Sequence, residues 1–169
     1  ISEANRLILA QNVSMIFHFA ATVRFTEKFK HPILLNVRGT REMLKLSQTC
    51  KNLKLFCHIS TAYCHLKERV LLEQFYPTLD PNEAMKIAEE NDVAQTEEIF
   101  SKYLNRNIPN SYVFTKALTE TLIVESKLPV LICRPAIVTQ TYEFPMSGWT
   151  DNLNGMTAMI ASSCMGIMR

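Results

Sequence analysis

A tyrosine and a lysine four residues apart, in Tyr112-Val113-Phe114-Thr115-Lys116, carry the plainest chemistry in the 169-residue sequence. In a helix that spacing puts a phenol and an ammonium on one face, one turn apart. A phenol with a pKa near 10 is a poor acid at neutral pH. A cation within ~4–6 Å favours the phenolate and lowers that value, which makes Tyr112 a usable proton donor to a carbonyl oxygen. A hydroxyl from Ser60 or Thr61, at the end of a neighbouring strand, could hydrogen-bond the same oxygen as negative charge develops on it. Together these groups would polarise a carbonyl for attack by hydride. Chance supplies about 0.3 such Tyr/Lys pairs in a chain of this make-up, so the motif alone is weak. A second copy, Tyr63-Cys64-His65-Leu66-Lys67, falls in a loop after a strand, where the spacing does not force the side chains together, and is read as coincidence.

The elements that must position these groups follow from hydrophobic patterning. Residues 13–20 (VSMIFHFA), 53–60 (LKLFCHIS) and 130–134 (VLICR, closed by Pro135) are short, β-branched or aromatic runs followed by loop signals, and read as buried strands. Residues 27–50 carry an apolar stripe of Ile33, Val37, Met43, Leu44 and Leu46, with Pro32 near the start, where a helix tolerates it. Polar amphipathic stretches at 81–91 and 96–104 precede a strong helix over 111–127. Strands alternating with helices predict an α/β fold, a Rossmann-like, doubly wound parallel sheet with right-handed crossovers, in a single partial domain spanning 1–169. Such sheets bind ligands beyond the carboxyl ends of their strands. There stand Ala20 and Ala21, Ser60 and Thr61, and Pro135 to Val138, small side chains and hydroxyls where a flat cofactor would need close backbone approach.

Composition narrows the possibilities. Only four glycines occur, Gly39, Gly148, Gly155 and Gly166, so neither G-x-G-x-x-G nor G-x-x-x-x-G-K can be written. With Ile1 as first residue, the expectation is a fragment that lacks the phosphate-binding turn. A net charge of +2 with both signs scattered leaves no footprint for nucleic acid. Five cysteines without a C-x-x-C suggest buried thiols in a reducing compartment. No leader is evident, and the apolar tract 156–168, interrupted by Ser162, Ser163 and Gly166, reads as a buried or substrate-facing helix rather than a membrane span. Cys57-His58 and Cys64-His65 offer ligand types, but neighbours on a strand point to opposite faces, so no metal is expected. His18 reads as a satisfied core histidine.

Six motifs occur in order: Phe17-His18-Phe19-Ala20-Ala21-Thr22-Val23-Arg24-Phe25, Leu35-Asn36-Val37-Arg38-Gly39-Thr40, His58-Ile59-Ser60-Thr61-Ala62-Tyr63-Cys64, Tyr112 to Leu118, Arg134-Pro135-Ala136-Ile137-Val138, and Gly148-Trp149-Thr150-Asp151-Asn152-Leu153-Asn154-Gly155. The chain resembles the alcohol-forming fatty acyl-CoA reductases of the male-sterility type, members of the extended short-chain dehydrogenase/reductases. The resemblance implies NADPH-dependent reduction of a long-chain fatty acyl-CoA to an aldehyde and then a primary alcohol. It implies Tyr112 as proton donor, Lys116 on the nicotinamide ribose, Thr61 at the hydroxyl position with Ser60 as substitute, and Asn36 ordering the helix beside the site. Ala20 and Ala21 would line the cofactor, and Pro135 and Val138 would flank the nicotinamide. An intracellular protein is implied, attached to endoplasmic reticulum or peroxisome through regions outside this segment. His65 stands where many members have Asn. The competing readings are a catalytically incompetent fragment and an extended reductase acting on a sterol or sugar nucleotide.

Overall fold

A computed structural model describes residues 1–151 and 155–168; Asn152, Leu153 and Asn154 of the last motif lie outside the described residues. Two units are present, Ile1–Arg134 and Pro135–Arg169. The first opens with a helix that the sequence reading did not anticipate, α1 (Glu3–Asn12), capped by the Ser2 hydroxyl accepting from Asn5 N at 3.3 Å. Strand β1 (Met15–His18) follows. The predicted helix over 27–50 is present as α2 (Lys30–Pro32), a π-helical stretch Ile33–Arg38 and α3 (Gly39–Thr49) in unbroken succession. After β2 (Leu55–Ile59) come α4 (Pro81–Glu90), α5 (Val93–Ser101), α6 (Ser111–Glu125) and β3 (Val130–Cys133).

The sheet is parallel with order β1-β2-β3, as the alternation of strands and helices predicts. Register sets Ile16 beside Phe56 and Phe56 beside Val130, then His18 beside His58 and His58 beside Ile132. Because side chains alternate, these rows share one face. Two successive crossovers of one hand, stepping in one direction, must both cover that face. There the core gathers: Phe56, Ile33, Val37, Leu44, Leu118, Leu122 and Ile123, with Ile16, Val130 and Ile132 packed against it. Phe29, Phe100 and Phe114 extend the core under α5, with Phe29 and Phe114 meeting edge-on at 5.3 Å.

Helix α6 is buried on nearly every side from Ser111 to Ile123, which is why it is apolar rather than strongly amphipathic. Asn110 caps it, its side chain accepting from Val113 N at 2.9 Å. Helix α5 begins at Val93, earlier than predicted, because Asp92 and Gln95 form a reciprocal capping box. In the second unit Thr141 and Trp149 pair through Thr141 N to Trp149 O, and α7 (Met156–Cys164) follows. No residue of α7 is buried, which corrects the buried alternative for that tract.

Candidate active site

The loop after β1, the loop after β2 and the first two turns of α6 converge in the first unit. Asn36, buried in the π-helical stretch, ties two of them together. Its Oδ1 accepts from Thr22 N at 2.8 Å, and its Nδ2 donates to Thr22 O at 3.2 Å and to Thr115 Oγ1 at 3.0 Å. Ser111 Oγ donates to Glu27 O at 2.7 Å, a second tie from the β1 loop to α6. The Phe25 ring lies 5.5 Å from that of Tyr112. Ala20 is exposed and Ala21 half-buried beside this loop's start.

The Thr61 hydroxyl lies near enough to the Tyr112 phenol to pull its pKa down. Ser60 turns elsewhere, toward Cys64 Sγ at 3.8 Å and the Glu120 carboxylate. Of the two candidate hydroxyls, Thr61 is therefore the one at the tyrosine. Lys116 is buried, and its Nζ donates to Ile59 O and lies 3.2 Å from His58 Nε2. Burial lowers its pKa from 10.5 to about 8, against the pull of Glu120 and Cys64.

One expectation is corrected. The Tyr112 phenol is raised, not lowered, because burial disfavours phenolate and only the nearby Thr61 hydroxyl pulls the other way. Lys116 does not offset this: its hydrogen bonds go to Ile59 and His58 on β2.

Sequence reasoning missed a buried charged cluster one turn along α6. The fully buried Glu120 carboxylate accepts from Arg134 Nε at 2.9 Å and Nη2 at 2.8 Å, and lies 3.0 Å from His65 Nε2 and 3.3 Å from Cys64 Sγ. His65 and Arg134 both pack on the Tyr76 ring. The hydrogen bonds from His65 and Arg134 hold the Glu120 pKa well below the carboxylate range despite burial, whereas burial pushes the Cys64 thiol up to about 12. The reason given against a metal at Cys64-His65 fails: the pair sits in a turn, and their ligand atoms and a Glu120 oxygen lie within 4.8 Å of one another. Both Glu120 oxygens are engaged by Arg134 instead. A cavity of about 240 Å³ opens beside Cys64 and His65, lined further by Leu79, Tyr103, Phe114 and Leu118.

Tyr63 and Lys67, the second motif copy, are exposed in the loop, with Lys67 near Glu68. Pro135, half-buried, and Val138, exposed, belong to the second unit. Among the described residues no helix is long and apolar enough to cross a membrane.

The sequence profile of the male sterility protein family matches residues 1–169. Over 172 aligned residues the chain is 40% identical to the fatty acyl-CoA reductase wat of Drosophila melanogaster and 37% identical to human fatty acyl-CoA reductase 1, covering 100% of this chain and 33% of each relative. It thus spans about a third of the length of the curated relatives it matches. Among solved structures, the terminal R domain of the myxalamid PKS-NRPS pathway superposes with a TM-score of 0.63 at 23% identity, over 98% of this chain and 37% of that one. RMD from Pseudomonas aeruginosa complexed with NADPH gives 0.53 at 16%, over 92% and 45%. These two likenesses concern the fold.

Proposed function

The chain belongs to the male sterility protein family, and from that premise we propose that its Tyr112–Lys116–Thr61 site serves NADPH-dependent reduction of a fatty acyl-CoA to a primary alcohol through an aldehyde. The observation that carries the reading is the meeting of the end of β2, just before Thr61, with the Tyr112–Lys116 turn of α6, where the buried lysine donates to Ile59 O. The named activities of the relatives support the substrate class. Residues 1–169 are read as one partial reductase domain.

The residues present fit a nicotinamide cofactor. Two of the three N–H groups of Lys116 are engaged within the protein, which leaves one for ribose hydroxyls. Ala20 and Ala21 supply the small lining after β1. When bound, the cofactor supplies hydride to the carbonyl carbon. Tyr112 Oη gives its proton to the carbonyl oxygen, and Thr61 Oγ1 donates a hydrogen bond to it as charge develops. The resulting hemithioacetal expels the coenzyme A thiol and leaves the aldehyde, on which a second hydride and a second proton through Tyr112 complete the alcohol. The raised phenol pKa keeps Tyr112 protonated, the form a donor needs at neutral pH. Asn36, which joins the loop after β1 to α6 through Thr22 and Thr115, is read as a positioning residue.

In the intact protein, Tyr112→Phe is expected to abolish alcohol formation from acyl-CoA while NADPH still binds, followed by its fluorescence. Retained turnover would overturn the assignment. Wild-type turnover of sterol or sugar-nucleotide substrates in preference to acyl-CoA would overturn the substrate class.

A further inference from the structure

Two histidines are buried against the lysine of the site. The register of β1 and β2 sets His18 beside His58 on the face that α6 covers. Their rings stack with centroids 5.3 Å apart and Nδ1 atoms 3.1 Å apart, and the other nitrogen of His58 meets Lys116 Nζ at 3.2 Å. An ammonium has three donors and no acceptor. His58 Nε2 must therefore present its lone pair to Lys116. A neutral imidazole carries one N–H, so that of His58 is on Nδ1, and the contact between the two Nδ1 atoms requires His58 to donate and His18 to accept. The His18 proton is then on Nε2. Each tautomer follows from the one before it.

Both rings are neutral at pH 7: burial and the neighbouring Lys116 lower the His18 pKa, and the same causes with His18 itself take His58 down to about 2. The charged or titratable groups facing Lys116 are His58 from β2, His18 behind it from β1, Cys64 from the loop after β2, and Glu120 on α6 itself, the last already paired with Arg134 and His65. A carboxylate in the place of His58 would claim the ammonium as an ion pair. A neutral acceptor fixes its direction and leaves its charge for a ligand.

We infer that His58, backed by His18 in a tautomer-locked pair, is a positioning residue that aims the Lys116 ammonium into the candidate site. The inference rests on the proposed role of Lys116 and concerns a hydrogen-bond chain that can be measured without turnover. In the intact protein labelled with ¹⁵N-histidine, spectra at pH 7 should show His58 as the Nδ1–H and His18 as the Nε2–H tautomer, and Lys116→Met should release the His58 preference. The Nε2–H tautomer at His58 would overturn the inference, whatever the enzyme does.

The kinetic arm is His58→Phe, which keeps a ring and removes the acceptor. It should lower kcat about tenfold or more, the size expected for one lost hydrogen bond to a charged group. An ammonium without its acceptor deprotonates more easily, so the alkaline limb of the kcat profile should move to lower pH. His58→Gln, which has an amide oxygen to accept at the same place, should recover most of both effects. Unchanged kcat and profile in His58→Phe, or a loss uniform across pH that Gln does not recover, would overturn the positioning role. Expected tautomers in a protein without acyl-CoA turnover would sink the proposed function and leave the chain standing.

Discussion

Glu120 and Lys116 lie one turn apart on α6, and their lowered pKa values give the protein two windows, one at each end of the pH scale, in which stability rises with pH. Glu120 is depressed below its ordinary 4.5 by hydrogen bonds from His65 and Arg134. Below that value the unfolded chain binds more protons than the folded one, so the stability that Glu120 contributes is present above about pH 4.5 and is lost as pH falls toward the depressed folded value. In urea titrations the midpoint should fall steeply below pH 4.5, and in Glu120→Gln the fall should be shallower. Lys116 is depressed from 10.5 to about 8, so between those values the unfolded chain again binds the extra proton and stability rises with pH. Lys116→Met should remove that alkaline rise. Arg134→Met leaves the Glu120 charge buried without its bidentate partner, and a loss of about 3–5 kcal/mol is expected in the same titrations.

At the level of elements, the π-helical stretch Ile33–Arg38 is the part on which the site's geometry depends most. It carries Asn36 at the point where both the loop after β1 and α6 can be reached. Extra-residue turns of this kind are common at functional sites. Asn36→Ala leaves Thr22 N and the Thr115 hydroxyl without that partner; about 1–3 kcal/mol of stability should go, read as a drop in the urea midpoint, with kcat falling more than KM changes. The three strands, α4 and α6 were legible in the sequence because apolar runs closed by Pro135, or opened by Pro81 and Asn110, leave few alternatives. The π turn was not, since its residues carry the same apolar stripe as an α-helix. Likewise Tyr112, Lys116 and Thr61 could be nominated from spacing and strand ends, whereas Glu120 with Arg134 and His18 with His58 are meetings across separate elements that no local pattern announces. The charge environment of Tyr112 was misjudged for the same reason: spacing along α6 is visible in sequence, the competing acceptors on β2 are not.

At the scale of the whole molecule, and among the described residues, the sheet has one face under the core and one on which large apolar side chains stand exposed around a buried Cys57. The row opposite the core sets Phe17 beside Cys57 and Cys57 beside Leu131, and Met15 precedes it on the same face. Met15, Phe17 and Leu131 are 54%, 59% and 49% exposed, and Phe19, next in the alternation, is exposed as well. Such apolar exposure on a parallel sheet, with β1 at its edge among the described residues, favours association with other apolar surface. The 169-residue polypeptide on its own should therefore self-associate and bind a hydrophobic dye, read by light scattering and dye fluorescence, and should fail to bind NADPH at micromolar concentration. Phe17→Lys tests the cause: one charge at the β1 end of the row should cut scattering and dye binding sharply while leaving the melting temperature nearly unchanged, because Phe17 contributes little to the core on the other face. Equal scattering from both proteins would place the adhesive surface elsewhere, and micromolar NADPH binding by the polypeptide would show that β1 to β3 with α6 hold the cofactor without further chain.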